Sequence, residues 1–163
     1  MIFNLKNNSL ETLAKTNEQK TDYENSKQQI TYNDTEEEWK LIIPKLNLST
    51  TIKEGTSAEI INNYIGHFEE TPKDNGNIGL IAASAGYKEN YFKDLKDLVA
   101  GDVIIYIKGN VKKEYKVTTN MAISQTDWSY LSNTQDDRLT LITGILEQPE
   151  QRRCVQAVEI MYG

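Results

Sequence analysis

Few residues in this chain can do acid–base or nucleophilic chemistry, and the shortage is informative. There is one cysteine, Cys154, and one histidine, His67. A cysteine attacks as its thiolate, which needs a base or positive charge beside it. Cys154 follows Arg152 and Arg153 but opens the apolar run "CVQAVEIM", where an unpaired thiol reads as a small buried apolar side chain. His67, in "IGHF", reads as structural. Two such residues are too few for a zinc site of the usual Cys/His kind, no cofactor motif is present, and a single cysteine excludes an internal disulfide. Ser84 has no base nearby in sequence. Asp127, beside Thr126, reads as the cap of a helical turn. Asp136 and Asp137 fall in the loop "SNTQDDR" and read as surface residues. The glutamates at 36–38 read as solvated charge rather than a calcium site. Trp128 and Tyr130 have the chemistry to contact a peptide, or to fill a core.

These residues need elements to position them. Residues 1–38 are polar and acidic with few aliphatic side chains. They cannot bury a core alone, so they are expected to form an arm or linker, either free or folded back over a groove. The domain is expected over 39–163. "WKLIIPKLNL" reads as a strand interrupted at Pro44. "TSAEIINNYIGHF" reads as a short helix, capped by Thr56 or Ser57 and stopped at Gly66. "TPKDNG" is a turn, residues 77–84 an apolar strand, and "ENYFKDLKDLVAGD" one or two irregular helical turns. "VIIYIKG" and "EYKVTTNMAI" read as a hairpin turning at Gly109-Asn110. "TDWSYL" is a capped helical turn, and "LTLIT" and "CVQAVEIM" are the last strands. Many short strands without long intervening helices predict a mainly β barrel or sandwich, not a parallel α/β fold.

The formal net charge of −6, with no basic block, argues against a nucleic-acid partner. No apolar run is long enough to cross a membrane, and "MIFNLKNNSL" is not a signal peptide. A membrane would be reached only through an anchor outside this sequence.

The order of "IPKLNL", "IKEGTS", "IGHFEETP", "GNIGLIAASAGY", "NYFKDLKDLVAGDVIIY", "TDWSYL", "LTLIT" and "QPEQRRCVQA" resembles the sortases. These are cysteine transpeptidases of Gram-positive bacteria, and the likeness is greatest to clostridial enzymes of the class B/D kind. It runs from Trp39 to the end. It implies a closed β-barrel of about eight strands with short helices and 3-10 turns, at the extracytoplasmic cell surface, with a sorting-signal peptide or a surface or pilin protein as partner. It also implies three catalytic side chains: a histidine after the strand reading "NIGLIAAS", a cysteine after "LTLIT", and an arginine at the start of the last strand. The thiolate attacks the Thr–Gly carbonyl, the imidazolium protonates the leaving amine, and the arginine holds the developing oxyanion.

This sequence departs from that pattern at two of the three positions. Counted back from Gly86-Tyr87, the histidine position holds Ala83, and the cysteine position holds Gly144. Arg152 matches the arginine by its spacing, and strand alternation lets only one of Arg152 and Arg153 face a groove. Ser84 and Thr143, next to the replaced positions, are the other expected substrate contacts. Neither alanine nor glycine can attack or move a proton, so transpeptidation by the usual route is not expected. The changes at Ala83, Ser84 and Ala85 together read as natural divergence rather than one engineered replacement. Three roles follow: a non-catalytic peptide-binding relative, a structural or regulatory partner of an active sortase or of cell-wall machinery, or an enzyme silenced by engineering or working through a relocated residue.

Overall fold

The structure, a computed structural model, describes residues 37–162. The expected arm therefore lies outside the described residues, apart from its last two positions. The β-branched and aromatic runs of the remainder form eight strands. They are β1 (Trp39–Ile43), β2 (Leu48–Glu54), β3 (Ile65–His67), β4 (Asn77–Ile81), β5 (Val103–Lys108), β6 (Val111–Ser124), β7 (Arg138–Gly144) and β8 (Gln151–Glu159), with one short helix, α1 (Ala58–Asn63). The strands close into a barrel in the order β1-β2-β3-β4-β7-β8-β6-β5, with β1 pairing back onto β5. The closed barrel with 3-10 turns is the expected fold.

Pro44 does more than interrupt a strand. It starts a 3-10 turn, Pro44–Leu46, which closes on Asn47 in the left-handed region at φ 57°. The expected single strand is therefore an antiparallel hairpin of β1 and β2. Its turn is tied to the start of β5 by Lys45, whose Nζ lies 2.9 Å from Asp102 Oδ2. Asp102 also accepts the Val99 amide, and these bonds hold its carboxyl below the usual carboxylate range.

The helix is shorter than the sequence predicts. Ser57 caps it by accepting the Ile60 amide, but it ends at Asn63. Gly66 is not its stop. It lies within β3, which pairs in parallel with β2. A Cβ on Gly66 would collide with the Gly55 carbonyl oxygen, so glycine is required by close backbone approach rather than by a left-handed cap. The Gly109-Asn110 hairpin falls between β5 and β6 as expected, and β6 carries a bulge between Val117 and Thr119.

Alternation along the strands divides the residues between two faces. Ile78 and Leu80 of β4, Leu139 and Leu141 of β7, and Val155 and Ala157 of β8 fill the barrel interior with Leu41, Ile52, Ile104 and Tyr115. Burying each leucine, isoleucine or valine side chain among them contributes about 1.5–3 kcal/mol. The opposite face of β7 and β8 carries Thr140, Ile142 and Gly144, register-paired with Gln156, Cys154 and Arg152. A second apolar cluster of Phe68, Ile123, Ile142 and Cys154 covers part of this outer face.

Candidate functional site

The outer face ends in a groove of about 400 Å³ where β4 and β7 finish and β8 begins. Its floor comes from small residues: Ala82, Ala83, Ser84 and Ala85 after β4, and Gly144 at the end of β7. The segment after β4 is pinned from both sides. The Ala83 carbonyl accepts the Phe92 amide at 3.0 Å. Asn62 of α1 accepts the amide of Lys88 through its side chain and that of Glu89 through its carbonyl. Gly86 makes the bend at φ 81°.

Gly144 contributes only backbone to the groove. Its carbonyl accepts the Ser84 hydroxyl at 3.0 Å. A Cβ built there would have Ser84 Oγ as its nearest neighbour, at 3.7 Å, an ordinary van der Waals contact. A side chain would fit, and the space stands open.

Arg152 is Gly144's register partner across the β7–β8 ladder and lines the same groove. Its Nη1 donates to the carbonyls of Pro149, at 3.2 Å, and Gln151, at 3.1 Å, bracing the loop between the two strands. Glu147 in that loop has φ 64°, a conformation that disfavours side chains other than Asn and Asp. Arg153 alternates to the other face, where its guanidinium donates to Asn120 Oδ1 at 3.0 Å.

Thr143 does not line the groove as expected. It is 3% exposed, and its hydroxyl donates to the Ala82 carbonyl at 2.7 Å. Its parity follows Leu139 and Leu141, so it straps β7 to the end of β4 from the opposite face.

The other titratable candidates hold structure. Cys154 is 1% exposed, and burial, with a smaller contribution from the Asp127 charge, pushes its thiol up to about 12. His67 is fully buried. Its Nδ1 faces both Glu54 carboxylate oxygens at 3.0 and 3.1 Å, and its Nε2 faces the Pro72 carbonyl at 2.9 Å and Thr71 Oγ1 at 3.1 Å. His67 packs against the Trp39 ring, whereas Cys154 lies in the cluster of Phe68, Ile123 and Ile142. Asp127 accepts the amide and hydroxyl of Ser129, which lowers its carboxyl below the usual range. Asp136 pairs through both oxygens with Arg138 at 2.8 and 2.7 Å, and Asp137 accepts the Gly76 amide. Both aspartates sit at the opposite end of β7 from Gly144, about 20 Å away at the usual rise per residue. Among the described residues no three His, Cys, Asp or Glu side chains converge as metal ligands.

A second cleft, of about 500 Å³, lies beside the groove and was not foreseen as a unit. Phe68, Trp128 and Leu131 line it. Leu131 and Phe68 lie over Gly79 of β4, where a Cβ would stand 2.7 Å from Leu131 Cδ2. Ile81, two residues further along the same face, lines the groove. Trp128 is 54% exposed and meets Phe68 edge-on with ring centres 6.0 Å apart. Tyr130 is instead partly buried, with its hydroxyl on Met121 Sδ. Leu146, Glu147 and Pro149, which wall the groove, were also missed. The only sequence signal was their place between the last two strands.

A model of the sortase domain matches residues 41–160 of this chain. The chain belongs to the sortase family. It is 25% identical over 105 residues to sortase D of Bacillus subtilis (strain 168), an alignment covering 63% of this chain and 51% of that protein. The chain thus spans about half the length of the curated relative it matches. Its fold is similar to a pilus-related sortase C of Group B Streptococcus, with TM-score 0.72 at 24% identity over 78% of this chain and 69% of that one. It is also similar to sortase C-1 of Actinomyces oris, with TM-score 0.72 at 21% identity over 76% and 73%. The eight-stranded closed barrel is the one these sortases share. No helix among the described residues of this sortase-family chain is long and apolar enough to cross a membrane.

Proposed function

We propose that this sortase homologue holds a peptide in its groove without cutting it. The carrying observation is Gly144: β7 ends at the groove beside Arg152 with no side chain, at the position where the family resemblance places the nucleophile. Ala83 stands where the same resemblance places the histidine. Of the remaining hydroxyl and thiol groups, Ser84 donates to the Gly144 carbonyl without a base beside it, and Cys154 is buried and held protonated. Arg152 retains the capacity to bind carbonyl or carboxylate oxygens. The adjoining cleft of Phe68, Trp128 and Leu131 offers an apolar seat for a neighbouring side chain. By the family resemblance, the ligand is a sorting signal or a segment of a surface or pilin protein, met at the Gram-positive cell surface.

Calorimetry with a panel of LPxTG-like peptides tests the reading. Binding that weakens on Arg152→Ala is expected, with no cleavage of a fluorogenic sorting peptide. Robust cleavage by the unaltered chain, or no binding across the panel, would overturn it. Restoration probes the groove itself. Ala83→His combined with Gly144→Cys is expected to produce thiol-dependent cleavage, since the space above Gly144 accepts a side chain.

A further inference from the structure

We infer that the groove takes the free C-terminal carboxylate of an already cut peptide, with Arg152 as its partner and the open space above Gly144 as its seat. The inference rests on the peptide-binding reading above and specifies which kind of peptide end is held.

Arg152 has unused donors. Both of its hydrogen bonds leave from Nη1 and go to backbone carbonyls at its own end of the loop. Nε and Nη2 have no partner among the described residues, and no carboxylate there lies within ion-pairing distance. Arg138, Lys45 and Lys113 are by contrast matched with acids: Asp136, Asp102, and Asp137 with Glu159, while Arg153 is held by Asn120. In a chain of net charge −6, a half-buried groove arginine with no ion pair among the described residues has donors to offer an anionic ligand. A guanidinium matches a carboxylate through two parallel N–H···O bonds, which a neutral amide carbonyl cannot reproduce.

Space complements this charge. The nearest atom to a Cβ on Gly144 is Ser84 Oγ at 3.7 Å, so the end of β7 leaves room beside Arg152 for a group of carboxylate size. An enzyme with a side chain at this position would fill that room. Glu147 lines the same groove and is the one acid among its described lining residues, so its carboxylate opposes an anionic ligand.

The test uses calorimetry on the whole chain with three N-acetylated probes: Leu-Pro-Ala-Thr with a free carboxylate, its C-terminal amide, and Leu-Pro-Ala-Thr-Gly amide. The acid is expected to bind about tenfold or more tighter than either amide at low salt, and the margin should shrink as salt is raised. Arg152→Gln should abolish the margin, weakening the acid about tenfold or more and the amides much less. Arg152→Lys, which keeps the charge but not the fork, should lose most of it. Glu147→Gln should widen the margin a few-fold. Equal affinity for acid and amides, or a margin that survives Arg152→Gln in a folded variant, overturns the inference while leaving the peptide-binding reading standing. Failure of all three probes to bind defeats both.

Discussion

The outer face of β4, β7 and β8 treats its polar groups in opposite ways at its two ends. At the end away from the groove, every polar side chain is engaged. Asn77 donates to the carbonyls of Tyr130 and Ser132, both at 2.9 Å, and accepts the Thr140 hydroxyl at 2.6 Å. Gln156 donates to Thr140 Oγ1 and the Tyr130 carbonyl, and accepts from Arg138. This network fastens the 3-10 turn Ser129–Leu131 onto the barrel. At the groove end β7 and β8 carry Gly144 and Arg152, and Ala83 follows β4; side chains here are short or partnered only by local backbone. Buried polar groups that satisfy one another make a rigid, specific structure. Groups left open remain available to a ligand. Two ends of one set of strands thus differ in how fully their polar groups are satisfied from within.

Substitutions can break or sharpen this contrast. The largest effect is expected at the satisfied end. Asn77→Ala would leave the Ser132 carbonyl without a partner inside the protein, take one of two donors from the Tyr130 carbonyl and remove the acceptor of the Thr140 hydroxyl, and should lower stability by about 2–4 kcal/mol, read from urea or thermal unfolding. A cost below about 0.5 kcal/mol would erase the contrast. Gly79→Ala, between the two ends, forces a methyl against Leu131 and Phe68 and should cost about 1–3 kcal/mol. Acid should loosen the satisfied end. Hydrogen bonding and charge from Arg138 hold the Asp136 carboxyl below its ordinary value. Its contribution is therefore present above the unfolded carboxylate pKa near 4 and is lost as pH falls through the lower folded value. Amide exchange around Arg138 and Gln156 should quicken below about pH 4 before exchange in the barrel interior does. Cys154 should label with thiol reagents near pH 8 only as the chain unfolds. Fast native labelling would contradict its burial and raised pKa. The smallest effect belongs to the groove end: Gly144→Ala should change stability by no more than about 0.5 kcal/mol.

Elements written in local chemistry were legible in the sequence. The Gly109-Asn110 turn, the helix cap at Thr56 or Ser57, which the structure gives to Ser57, and the end of β7 at Gly144 each depend on residues a few positions apart. Strand alternation also separated Arg152 from Arg153, although neither position reveals what either arginine binds. Gly66 was misread because a helix stop and a close backbone crossing both call for glycine, and the crossing partner, Gly55, is brought near only by the parallel pairing of β2 with β3. The three-residue strand β3 exists for the same nonlocal reason. Thr143 was placed in the groove by nearness to Gly144, although one residue along a strand reverses the face. The cleft of Phe68, Trp128 and Leu131 joins residues from distant loops, and no local pattern announces it.

The domain's two tryptophans stand in unlike surroundings. The indole of Trp39 donates to the Tyr106 hydroxyl at 2.9 Å, lies 5.4 Å from the His67 ring, and has Lys73 and Lys108 over it. That of Trp128 stands on the rim of the cleft, more than half exposed. The protein therefore carries its own optical reporter. Emission excited at the red edge is weighted toward the wet indole, so occupancy of the cleft should shift it to the blue and shield it from iodide. Trp39 supplies a steady internal reference, and no dye or tag is needed to watch a ligand arrive.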